Sequence, residues 1–207
     1  MISATDPLGF CSAESRWKGP RRVNEKVLLF LVVSFQAHAQ EQWYLNKANS
    51  SIIFKINVLF GEDVKGEFTK FDGLIVIDNE TGKDNKAIFQ IYIDSISTNY
   101  EDYAELLKSL VFFDVQRHPL AVLDTKRFVI NQNNTAEVVA SLMIKESQQD
   151  VPITFTFKQQ DDNTVSANGM FTFRRSDFKL GIGRWSRTLI LKDKVIVEIK
   201  LTLKKEL

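Results

Sequence analysis

Across residues 43–203 apolar side chains recur at every second position, and this period limits what the chain can become. Ile52, Phe54, Ile56 and Val58 alternate with Ile53, Lys55 and Asn57. After Gly61-Glu62-Asp63 a new segment runs over 64–68, and Asp72-Gly73 interrupts before another at 74–77. Successive side chains of a strand point to opposite faces, so each segment reads as a strand with one apolar and one solvated face. Asp78-Asn79-Glu80-Thr81-Gly82 reads as a polar turn, and Ala87, Phe89, Ile91 and Ile93 then alternate with Gln90 and Tyr92.

The period changes once. Over 101–113, Tyr103, Leu106, Leu107 and Leu110 fall at helical spacing with Asp102, Glu105 and Lys108 turned outward, which predicts a helix of about three turns. His118-Pro119 ends that region, because the residue before a proline is held extended. Alternation then returns: a strand over 120–130, a turn at 131–134, and a strand over 137–144 with Val138, Ala140, Leu142 and Ile144 on one face. Val151, Ile153, Phe155 and Phe157 share a face of the next strand, and Val165, Ala167, Gly169, Phe171 and Phe173 a face of the one after. Val195, Val197, Ile199, Leu201 and Leu203 line the last.

About eight to ten such strands joined by short polar turns, with one helix, cannot supply the crossovers of a parallel sheet. The sheet is antiparallel, all-β but for that helix, and one apolar face forces it to close into a barrel or fold into a sandwich. At 207 residues one domain is expected, and 27 basic against 26 acidic residues leave no global field to steer the chain to nucleic acid. The single cysteine, Cys11, excludes an internal disulfide and a cysteine-based metal site.

The first 39 residues read as a prefix and secretory leader. Arg21, Arg22 and Lys26 precede a nine-residue apolar run at 27–35 and then Ala37-His38-Ala39-Gln40, the order of charged, apolar and cleavage regions. Cleavage is expected after Ala39, placing the mature domain at 40–207 in the periplasm or outside the cell. The run falls well short of the about 20 residues that span a bilayer, so no integral membrane segment is expected after cleavage.

Few residues suggest catalysis. His118 is the only histidine after the leader, and one histidine without cysteine completes no common zinc or haem arrangement, so neither metal nor cofactor is expected. Glu101, Asp102 and Glu105 fall on the solvated helix side, and Asp161-Asp162 in a turn. Gly181-x-Gly183 lacks the third glycine of a nucleotide loop. Arg174, Arg175 and Asp177, near Arg184, Trp185 and Arg187, carry two readings: an Arg175–Asp177 interaction that pins the loop, or guanidinium groups that meet a phosphate head group.

Ser51-Ile52-Ile53-Phe54-Lys55-Ile56 followed by Val64-Lys65-Gly66-Glu67-Phe68-Thr69-Lys70-Phe71-Asp72-Gly73 resembles the opening of the YceI-like family of bacterial periplasmic proteins. Ser95-Ile96-Ser97-Thr98, Leu107-Lys108-Ser109-Leu110-Val111-Phe112-Phe113-Asp114, His118-Pro119 and Arg175-Ser176-Asp177-Phe178-Lys179-Leu180-Gly181-Ile182-Gly183 are similar to its later motifs, in the same order. The resemblance covers 43–203. Asn57 stands where many members have a histidine, and Lys179 intervenes before the glycine of the Asp-Phe-Gly stretch, so the pocket rim is expected to differ.

The resemblance implies an extended, lipocalin-like, eight-stranded antiparallel barrel whose interior holds a polyisoprenoid or similar long-chain amphiphile. Periplasmic binding, transport or storage would follow, without enzymatic turnover. Phe54, Ile56, Phe89, Ile91, Leu142, Phe155, Phe157, Phe171 and Phe173 are then the expected lining, with Arg175 and Asp177 at the head group or pinning the loop. A packed-core stress or interaction protein and an enzyme acting on an isoprenoid quinone are the rival readings, and a homodimer stays open.

Overall fold

The alternating segments become β1 Gln40–Leu45, β2 Ser51–Val58, β3 Val64–Phe68, β4 Phe71–Asp78, β5 Lys86–Tyr92 and β6 Ile96–Thr98, then the helix α1 Glu101–Lys108. β7 Leu120–Thr125, β8 Thr135–Ile144, β9 Ser147–Asp161, β10 Thr164–Arg174 and β11 Leu191–Lys205 follow. This computed structural model describes residues 40–78 and 82–205; the expected prefix, leader and cleavage point lie outside them.

Every pairing is antiparallel. The order β1-β4-β5-β7-β8-β9-β10-β11 returns to its start because β1 also pairs with β11, through Trp43↔Lys205, Tyr44↔Lys204 and Leu45↔Leu203. The sheet is therefore a closed eight-stranded barrel rather than a sandwich. β2, β3 and β6 extend the staves begun by β1, β4 and β5: β2 pairs with β11 beside β1, β3 with β2, and β6 with β3.

Side-chain hydroxyls mark two of these breaks. Ser50 Oγ donates to the Asn46 carbonyl at 2.8 Å and accepts the Thr202 N–H at 2.9 Å. Ser95 Oγ donates to the Tyr92 carbonyl at 2.6 Å and accepts the Lys70 N–H at 3.0 Å. A serine that bonds the local backbone offers it an alternative to the ladder, so the strand bends without orphaning a buried amide.

Inward positions follow the predicted parity. On β8 Ala136, Val138, Ala140, Leu142 and Ile144 are buried, and on β11 Leu191, Val195, Val197, Ile199, Leu201 and Leu203 are. One feature of the wall depends on register. Phe54 lies opposite Gly66, Phe89 opposite Gly73, and Phe155 opposite Gly169. A Cβ on these glycines would come within 2.4, 2.6 and 2.4 Å of the facing ring. Each phenylalanine therefore lies flat over a neighbour without a side chain, where close approach needs glycine.

Three expectations need correcting. The helix stops at Lys108 rather than reaching 113, because Ser109 turns extended and its Oγ donates to the Leu106 carbonyl at 2.6 Å. Leu110, expected on the buried face, is 59% exposed. The strand expected over 120–130 ends at Thr125, whose Oγ1 accepts the Ala87 N–H at 2.8 Å, while Asn85 Nδ2 donates to the Phe128 carbonyl at 3.1 Å. Asp72-Gly73 lies inside β4, and the chain breaks at Thr69-Lys70 instead.

Candidate functional site

The inward faces enclose a lumen divided into a row of small cavities. At the helix end, about 120 Å³ lies between Ile56, Val58, Val64, Tyr103, Leu106, Leu107, Phe112, Trp185, Ile190 and Leu191. Ile56, Leu107 and Phe112 also border the next cavity, about 50 Å³, with Phe54, Phe173 and Val195. Phe68, Phe113, Phe173 and Val197 separate that from a central cavity of about 60 Å³. Phe89 stands between the centre and a cavity of about 30 Å³. Ile77, Phe157 and Leu203 lead on to about 200 Å³ at the far end, bordered by Trp43, Ile130, Asn134, Gln159 and Val165.

All nine expected lining residues face this row. Phe54 and Ile56 sit toward the helix end, and Phe89, Ile91, Leu142, Phe171 and Phe173 around the centre. Phe155 and Phe157 sit toward the far end, their ring centroids 6.1 Å apart. Phe157 and Phe173 are only half-buried. Phe68, Phe113 and Leu123, not among the expected lining, complete the wall, with Gly66, Gly73 and Gly169 behind the flat rings. A glycine at an inward strand position was the available signal.

Polar atoms are scarce along this path. Thr125 and Arg175 alone interrupt the apolar lining of the three inner cavities. At the far end the indole Nε1 of Trp43 is buried and makes no hydrogen bond within the described residues. An interior of this kind can hold a hydrocarbon by burial alone, with polar recognition restricted to its ends.

Arg175 is 1% exposed, at the start of the 3-10 turn Arg175–Phe178. Its Nε donates to the Lys192 carbonyl at 3.1 Å, Nη1 to Leu180 at 2.8 Å, and Nη2 to Leu191 at 3.0 Å and Arg187 at 3.5 Å. The expected Arg175–Asp177 interaction is not made: Asp177 is exposed, and the guanidinium is taken up by carbonyls of the β10–β11 connection. Asp193 binds the turn from outside, accepting the Ser176 N–H at 3.0 Å and its hydroxyl at 2.8 Å. Burial pulls the Arg175 guanidinium below its ordinary value, and the nearby Asp193 charge opposes this.

The connection held by Arg175 covers one end of the lumen. Gly181 and Ile182 donate to the Val111 carbonyl at 2.9 and 3.1 Å, tying it to the segment after α1. Beneath it Phe112 meets Trp185 at 6.0 Å between ring centroids, and Phe178 meets Phe173 edge-on at 5.1 Å. Among the described residues no group of three or more His, Cys, Asp or Glu side chains is placed to hold a metal, and no helix is long and apolar enough to cross a membrane.

This barrel has solved counterparts. BcnA of Burkholderia cenocepacia superposes with a TM-score of 0.71 at 23% identity, covering 76% of this chain and 98% of BcnA. A polyisoprenoid binding domain from Saccharophagus degradans, implicated in plant cell wall breakdown, gives 0.65 at 14% identity over 79% and 98%. A YceI protein of Campylobacter jejuni gives 0.63 at 22% over 74% and 91%. In sequence, a UPF0312 protein of Vibrio cholerae is 25% identical over 126 residues, 60% of this chain and 67% of that protein. Residues 43–203 match the YceI-like domain, and the chain belongs to that family.

Proposed function

We propose that this protein binds an isoprenoid or similar long-chain amphiphile in its lumen and carries or stores it in the periplasm, without catalytic turnover. The observation that bears the weight is the row of largely apolar cavities along the barrel, parted by aromatic rings and faced by all nine residues expected to line it. Burial of a hydrocarbon tail supplies about 0.8 kcal/mol per CH₂, so several isoprene units bind without polar contacts. The polyisoprenoid binding domain of Saccharophagus degradans shares the fold and supports the ligand class. The leader-like order of residues 21–39 supports export.

The inner cavities, about 30 to 60 Å³, are small beside the roughly 150 Å³ that admits a benzene in an engineered core. A tail therefore enters only as the rings between cavities turn aside, and the half-buried Phe157 and Phe173 are placed to do so. The same small volumes favour the second reading, a packed-core interaction protein that holds no lipid.

Native mass spectrometry of freshly purified protein decides between them. A bound amphiphile in the wild type, lost in folded Phe171→Asp and Phe155→Asp variants, is expected. Ligand-free wild-type protein, or variants that keep their lipid, would overturn the carrier reading.

A further inference from the structure

The most exposed large apolar side chains, Phe60 (98% exposed), Leu189 (70%), Ile190 (66%) and Leu110, lie on segments that meet at the helix end. Backbone bonds join the segments that carry them. Leu59 donates to the Ile190 carbonyl at 2.8 Å, and Gly181 and Ile182 donate to Val111, next to Leu110. Phe60 also has φ of 62°, a left-handed conformation that bulky residues rarely adopt. Soluble proteins seldom keep such a gathered apolar surface without a partner for it.

Charge indicates which partner. Over 175–190 the connection exposes Lys179, Arg184 and Arg187 against one exposed acid, Asp177. None of these three cations is in a salt bridge among the described residues. Arg184 lies over the Trp185 ring at 5.3 Å, the pairing of cation and indole suited to a lipid–water interface. Of the acids in the neighbouring turn, Asp63 is paired with Lys55 at 2.7 Å and Glu62 accepts the Tyr100 hydroxyl. Ile190, one of these side chains, borders with Trp185 the cavity at this end, where a lipid tail would enter the lumen.

We propose that this end of the barrel docks on an anionic lipid bilayer, with Phe60, Leu110 and Leu189 entering the interface and Arg184 and Arg187 meeting the lipid phosphates. Apolar insertion and cation–phosphate attraction then act together, and the lumen opens toward the leaflet. The inference rests on the lumen being a lipid site, and its test is separable from the test of that reading.

Flotation of the full chain with phosphatidylglycerol–phosphatidylethanolamine vesicles, and with phosphatidylcholine vesicles, provides the measurement. Binding is expected to the anionic vesicles, weakening with salt, and to be slight on phosphatidylcholine. A Phe60→Ser/Leu110→Ser/Leu189→Ser variant and an Arg184→Gln/Arg187→Gln variant are each expected to lose about tenfold in partition. The arginine pair is exposed, so its variant keeps the test available should the triple variant fail to fold.

No binding by the wild type, or equal binding by the arginine variant, would overturn the proposal. So would a wild-type dimer, seen by sedimentation without vesicles, that the triple variant dissolves, since a second copy would then cover the patch. Wild type that carries lipid but ignores vesicles defeats docking alone, and wild type that binds vesicles but carries no lipid defeats the lumen reading alone.

Discussion

The two ends of the barrel are closed by different means. At the helix end, α1, the segment after it and the β10–β11 connection lay Phe112, Phe178 and Trp185 over the lumen, and this irregular backbone sends its carbonyls to a buried guanidinium. At the far end the connections are shorter, and the longest described one, 126–134, takes a single side-chain amide, Asn85, on its Phe128 carbonyl. Asn131 donates to the Thr135 carbonyl at 2.7 Å, Asn134 to Asn131 at 2.9 Å, and Asn163 to Asp161 Oδ1 at 2.9 Å. A tight hairpin satisfies its own backbone, whereas a longer connection imports side-chain donors, one amide at the far end and a whole guanidinium over the helix end. The larger cavity, about 200 Å³, accordingly lies under the turns, and the tighter aromatic packing lies under the connection.

Removing the imported donor is the harshest way to break this contrast. Arg175→Met leaves several buried carbonyls unpaired and is expected to cost about 3–5 kcal/mol in urea unfolding, while Asp177→Asn stays within about 0.5 kcal/mol. Equal effects at the two positions would mean that the carbonyl contacts are not what holds the connection.

Between the ends, Gly169→Ala forces a methyl group against the Phe155 ring and pushes it into the lumen. The expected loss is about 2 kcal/mol, together with less bound lipid per protein by mass spectrometry. A neutral result would show that the ring has room to move without entering the path.

At the far end Asn134 has φ of 58°. Asn134→Val, with a branched side chain in that conformation, is expected to cost about 1–2 kcal/mol, and Asn134→Gly almost nothing. Matching thermal shifts for the two variants would contradict a turn that relies on its own geometry.

The smallest effect belongs to the β2–β3 turn. The Lys55 hydrogen bond to Asp63 outweighs desolvation and, helped by Asn57 and the Val58 N–H, holds the Asp63 carboxyl below its ordinary value. A lowered folded value adds stability above the unfolded value, about 3.9, and that stability is lost as pH falls through the folded value. The stability gap between wild type and Asp63→Asn is expected to be present at neutral pH and to close below about pH 4. A gap that widens in acid would reverse the assignment.

Much of this architecture can be read from alternation alone. The parity of Phe54, Phe89, Phe155 and Phe171 placed them on one face before any pairing was known, because a strand leaves only two choices. Which residues face each other across strands depends on register, and register comes from turns and bends. The Phe54–Gly66, Phe89–Gly73 and Phe155–Gly169 pairs were therefore hidden, although each glycine stood in plain view. The serines that bend the staves at Ser50 and Ser95 look like ordinary loop residues until their hydroxyls find distant amides. Arg175 was visible as a candidate, but its partners are backbone carbonyls, and no side-chain pattern announces those.

The central claim is that a hydrocarbon tail runs through the middle of the barrel, between the flat phenylalanine rings. Photo-cross-linking with an isoprenoid that carries a diazirine near its tail, followed by peptide mapping, tests it most directly. Adducts on inward residues such as Ile91, Leu142 and Phe171 are the predicted result. Adducts confined to the outward Val139 and Met143 faces, or to the connection at one end, would contradict it.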